Sequence, residues 1–89
     1  MHKQEASILF GVLSDEDRLK MMKFLCVKGN MGVNDLLTLV NSEEKKFDKD
    51  LSILLCNNLV STNEGLLVAN IDLVNELMNF ITTPCKCMK

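Results

Sequence analysis

The sequence predicts a mainly α-helical domain of about five helices joined to one two-stranded β-hairpin. Three observations lead there. Apolar residues recur at helical spacing in separate segments along the chain. Glycine and proline are scarce, at four and one, which disfavours a many-turned all-β design. A lone Asn63-Glu64-Gly65 turn separates two short runs rich in Leu and Val. With 89 residues the chain allows one domain whose core lies near the lower limit for independent folding, so association with a second copy would help. Hydrophobic residues at 47% and charged residues at 25% exclude disordered and fibrous classes. One domain is expected over residues 1–84, followed by a flexible cysteine-containing tail at residues 85–89.

Each element has its own signal. Ile8, Leu9, Val12 and Leu13 predict a first helix over residues 4–13. Ser14 reads as the N-cap of a second, with Asp15, Glu16 and Asp17 favourably placed at its dipole. Its apolar stripe is Leu19, Met22, Leu25 and Cys26, widened by Met21 and Phe24, and Gly29 supplies a left-handed end after residue 28. Val33, Leu36, Leu37 and Val40 predict a third, short helix with Gly32 or Asn34 at its start and Asn41 at its end. Ser42 is the N-cap candidate of a fourth, whose core positions are Phe47, Leu51, Leu54 and Leu55 and which ends near Asn57-Asn58. Residues 59–62 and 66–69 are the two strands. Asn70 or Asp72 opens a last helix carrying Ile71, Val74, Leu77, Met78 and Ile81, and Pro84 stops it.

Charge and special residues narrow the function. The formal net charge is −2, so no global positive field draws in nucleic acid or an acidic membrane. The apolar stretch at residues 6–13 is too short and wrongly flanked for a secretory signal. Charged or Asn residues interrupt every hydrophobic segment well before the roughly twenty residues of a membrane span. The expected compartment is the cytoplasm, where the four cysteines would stay thiols. No Gly-rich phosphate loop is present, the single histidine is His2, and no nucleophile has a base at workable spacing, so no enzyme is expected.

Two helices joined by a tight turn and followed by a hairpin make a winged helix-turn-helix. Residues 13–25, Leu-Ser-Asp-Glu-Asp-Arg-Leu-Lys-Met-Met-Lys-Phe-Leu, resemble the helix-two signature of the ArsR/SmtB repressors, approximately L-A-D-P-T-R-L-R-I-L-R-L-L. Leu13, Asp15, Arg18, Leu19 and Leu25 match it outright. The likeness continues through Val33-Asn34-Asp35-Leu36 to Asn58-Leu59-Val60, where the family has Gly-Leu-Val, and covers most of residues 6–82. It implies a homodimeric transcriptional repressor paired through its first and last helices, with Ile8, Leu9, Leu77, Met78 and Phe80 as the apolar patch; the alternative is that these residues fill the core of a single copy. It also implies that the third and fourth helices meet the major groove of double-stranded DNA, with Ser42, Lys45, Lys46 and Lys49 as the candidate contacts. Arg18 reads equally well as a member of a surface ion pair with the acids beside it.

The chain departs from that family in two respects. The positions of the family's thiolate metal site hold Gly32 and Asn34, and the last helix has Asp72 and Glu76 but no histidine. A thiolate-bound metal ion would fall instead to Cys85 and Cys87, with Cys56 as a third ligand; soft thiolates suit thiophilic ions. Cys26 and Cys56 read equally as small hydrophobes on apolar helix faces. The outer face of the fourth helix is read as Glu43, Glu44, Lys45, Lys46, Asp48, Lys49 and Asp50, one net negative charge, and residues 61–70 hold no Lys or Arg. Both features oppose phosphate contact. The alternative is therefore a winged-helix protein-interaction module that docks a basic partner.

Overall fold

The second helix, α2 (Glu16–Lys28), is the element around which the others gather. It packs against α1 (Lys3–Leu13), α3 (Val33–Val40), α4 (Glu44–Cys56) and the second hairpin strand, β2 (Leu66–Ala69). β1 (Val60–Asn63) precedes β2, and α5 (Ile71–Thr82) follows it and returns to pack on α1. The computed structural model describes residues 1–83. Cys85 and Cys87, and the tail expected at residues 85–89, lie outside the described residues. The order of helices and hairpin is compatible with a winged-helix layout.

The core explains the order. Met21, Met22 and Leu25 of α2 meet Leu36 and Val40 of α3, Phe47 and Leu54 of α4, and Leu67 of β2 in one buried cluster that also takes in Ala6, Leu9 and Leu77. The first four helices contribute positions three, four or seven apart, the spacing that puts side chains on one face, and α5 contributes Leu77. Helix ends also follow local chemistry. Asn41 (φ 56°) and Asn58 (φ 62°) take left-handed conformations after α3 and α4, and Gly29 ends α2 at φ 91°. Gly29 has ψ −169°, outside the left-handed helical region expected of it but still at a φ that favours glycine.

The hairpin is tighter than its sequence reading. β1 extends to Asn63, so the turn is the two residues Glu64 (φ 52°) and Gly65 (φ 80°), both with the positive φ that matches strand twist. The strands pair antiparallel from Val60 with Ala69 to Asn63 with Leu66. A further bridge was not legible in advance: Met31, in the loop after α2, exchanges both backbone hydrogen bonds with Leu67, at 3.2 and 2.8 Å. It ties β2, one residue from the end next to the hairpin turn, to the segment that leads into α3.

The buried side of α2 differs from the predicted stripe. Leu19 is 53% exposed and Cys26 is exposed, while Arg18, Met21, Met22 and Leu25 form the inward face. The face is rotated because Arg18 is drawn inward by a partner on α4, described below. On α1 and α5, Ile8, Met78 and Phe80 are exposed as expected, but Leu9 and Leu77 belong to the core. Phe47→Ala should therefore cost about 3 kcal/mol or more by urea unfolding, whereas Leu19→Ala should stay within about 0.5 kcal/mol.

Candidate nucleic-acid interface

α4 has two faces of different chemistry. Phe47, Asp50 and Leu54, at i, i+3 and i+7, are buried against α2 and the hairpin, and Asp50 is only 1% exposed. A carboxylate that deep requires partners. The Arg18 guanidinium supplies the first, donating from Nη1 to Asp50 Oδ1 at 2.9 Å, while its Nε donates to the Val12 carbonyl at 2.6 Å. Arg18 thus links the end of α1, α2 and α4 through one planar fork, a geometry lysine cannot reproduce.

Lys46 supplies the second partner. Its Nζ donates to Asp50 Oδ2 at 2.8 Å and lies 3.1 Å from carboxylate oxygens of both Asp15 and Asp17. Those three carboxylates lie within 4.8 Å of one another, the one arrangement among the described residues with the proximity a metal ion would need. The Lys46 ammonium sits among them instead, and with Arg18 it offsets two of the three negative charges. Hydrogen bonding to Asp50 raises the Lys46 pKa well above its ordinary value, with Asp15 and Asp17 adding to it against the cost of desolvation. Asp15 is lowered, first by the backbone N–H of Arg18 and then by Lys46.

Asp15 is also the true cap of α2. Its Oδ2 accepts from the backbone N–H groups of Asp17 and Arg18 at 3.0 and 3.1 Å. Ser14, expected in that role, belongs to the end of α1, where its hydroxyl donates to the Gly11 carbonyl at 2.6 Å. Ser42 is likewise not the cap of α4. Glu43 occupies that position without a side-chain cap bond, and the Ser42 hydroxyl is buried with no hydrogen-bond partner in the structure. The left-handed turn at Asn41 places Ser42 one residue too early to reach the first free N–H groups of α4.

The opposite face of α4 is open. Lys45, Asp48, Lys49 and Ser52 are all exposed, and none of the charged three makes an ion pair among the described residues. Of the four candidate DNA contacts, Lys45 and Lys49 therefore stand together one turn apart, Lys46 is held on the flank toward α2, and the Ser42 hydroxyl is turned inward. Burial of Asp50 and capture of Lys46 remove one charge of each sign from the outer face. Glu43, Glu44 and Asp48 then oppose Lys45 and Lys49, and the balance stays at one net negative. The hairpin tip adds Glu64 and no cation.

The thiols are arranged differently from the reading as small core hydrophobes. Cys26 and Cys56 are both exposed. Cys56 lies at the C-terminal end of α4, four residues after Ser52 on the outward side, and Cys26 is turned out because Arg18 sets the inward face of α2. Partial covering still pushes the Cys26 thiol up, which keeps it protonated and a poor nucleophile. The three-thiolate grouping of Cys56, Cys85 and Cys87 has two members outside the described residues.

The coupling of Arg18 with Asp50 escaped the sequence reading, yet its trace is present. Arg18 stands three and four residues before Met21 and Met22, and Asp50 stands between Phe47 and Leu54 at the same spacing, so each charge interrupts an apolar stripe. Arg18→Met should cost about 3 kcal/mol by leaving Asp50 under-neutralised. Combined with Asp50→Leu, the loss should fall short of the sum by about 2 kcal/mol in a double-mutant cycle. The lowered Asp15 pKa has its own signature. Its contribution is complete above the unfolded value near 3.8 and is lost as pH falls through the lower folded value. The urea midpoint should therefore decline in acid, and Asp15→Asn should make that decline shallower.

No protein-family model matches the chain, and no curated protein matches it in sequence.

Proposed function

We propose that this chain is a DNA-binding transcriptional regulator that works as a homodimer in the cytoplasm, with α4 as the element that enters the major groove. One observation carries the reading. α4 commits one face to the core through Phe47, Asp50 and Leu54 and leaves the other, from Lys45 to Ser52, wholly open next to a hairpin. A helix fixed on one side and solvated on the other is what groove reading requires. The resemblance of residues 13–25 to the ArsR/SmtB signature supports it. Ile8, Met78, Phe80 and Ile81, exposed on the packed pair α1 and α5, give the second copy an apolar surface to cover.

Affinity on this reading is modest. Only two ammonium groups of α4 face the duplex, against phosphates that Glu43 and Glu44 repel. Thiol sensing through Cys56, Cys85 and Cys87 remains part of the proposal as the route by which a thiophilic ion would reach the α4 end. A second reading has its own support: residues 61–70 carry no Lys or Arg, which suits a module that docks a basic protein segment better than one that grips a minor groove.

Fluorescence anisotropy at low salt with the duplex upstream of the gene separates the two. Binding should occur with two chains per duplex by light scattering, and it should weaken as salt rises. Lys49→Ala, which removes one phosphate contact from each of the two chains, should lower the slope of log affinity against log salt by about two. Absence of binding to any duplex at low salt would remove the DNA reading and leave the protein-docking one.

A further inference from the structure

The outer face of α4 carries its charges in a fixed order, and the order holds chemical information that the net charge does not. Asp48 stands one turn after Lys45 and directly before Lys49, exposed, with no ion pair among the described residues. Positions three apart are neighbours on a helix surface, so Lys45 and Asp48 present an ammonium and a carboxylate side by side. Asp50 is buried and Lys46 is held by three carboxylates, so neither competes for this face.

A carboxylate entering the major groove is repelled by the phosphates, and that cost is offset only where a base edge donates a hydrogen bond to it. Cytosine does so from its N4 amino group. The guanine paired with it offers O6 and N7, two adjacent acceptors for an ammonium, on the same groove edge. An A·T pair separates its acceptors with the adenine amino group and adds the thymine methyl, so it fits a neighbouring Lys and Asp less well.

Resting on the DNA-reading role, we infer that Asp48 is a specificity-determining residue. It accepts from cytosine N4 while Lys45 donates to the guanine of the same pair, and the preferred site carries a G·C pair at that position of each half.

Selection of bound duplexes from a random pool tests this with the full chain and its Asp48→Ala, Asp48→Asn and Lys45→Ala variants. All three positions are exposed, and matched urea midpoints would verify folding. The unaltered protein should enrich a G·C pair at one position per half-site, and exchanging it for A·T should weaken binding roughly tenfold. Asp48→Ala should tighten binding to duplexes that lack the G·C pair while leaving the preferred duplex little changed, so that the preference is lost, and Lys45→Ala should weaken binding and erase it too. Asp48→Asn should move the preference toward adenine, whose N6 and N7 match a carboxamide. Uniform tightening by Asp48→Ala with the enriched pattern intact would overturn the inference, as would retention of DNA with no enrichment by the unaltered protein; both leave the DNA-reading role standing. Retention of no duplex by any of the four proteins would overturn the role and the inference together.

Discussion

The arrangement of this small domain depends on one buried ion pair. Asp50 cannot lie inside α4's packing face without a counter-charge, and Arg18 provides it while also holding the carbonyl of Val12. Three helices are fixed relative to one another by a single guanidinium. Such pairs are not efficient sources of stability, because both charges give up hydration to form them. Their effect here is orientation: an apolar residue at either position would let α4 rotate or slide on α2, whereas a carboxylate that must meet Nη1 fixes its rotation. Lys46 completes the arrangement by joining α4 to the cap of α2 at Asp15 and to its neighbour Asp17.

That constraint determines what the domain offers to its surroundings. Since Phe47, Asp50 and Leu54 must face inward, Lys45, Asp48, Lys49 and Ser52 face outward as a matter of helical geometry. The chemistry of the outer face follows from the packing of the inner one. The same logic turns Cys26 and Leu19 to solvent on α2, because Arg18 takes the inward direction they were expected to share. Exposed apolar side chains on α1 and α5 are a separate matter, set by the limited core that a chain of this length can close.

Much of this architecture was legible from residue types alone. Helical spacing located all five helices to within a residue or two, and Asn41, Asn58 and Asn70 marked helix ends for the reasons their side chains and backbones suggest. Asn70, for example, accepts from the Leu73 N–H at 3.2 Å as a cap should. What escaped was tertiary. Apolar periodicity ranks Leu19 above Arg18 as a core residue, and only the presence of Asp50 across the interface reverses that order. The capping roles of Ser14 and Ser42 failed for a related reason: hydroxyl chemistry suits a cap, but a shift of one residue in the helix start assigns the place to Asp15 and to Glu43. The bridge between Met31 and Leu67 has no side-chain signature, being made by backbone groups alone. For the candidate interface, the lysines at positions 45 and 49 were identified correctly as exposed, while Lys46 differs from them only in lying on the flank that meets α2.

Arg18 is the only arginine in the sequence, so its side-chain NMR signals can be assigned without ambiguity. Nitrogen-detected spectra of the guanidinium group report directly whether it is held. The account predicts a sharp Nε–H resonance protected from solvent exchange, and terminal nitrogens made inequivalent by slow rotation about the guanidinium bonds. A rapidly exchanging, rotationally averaged guanidinium, indistinguishable from that of a free arginine, would contradict it.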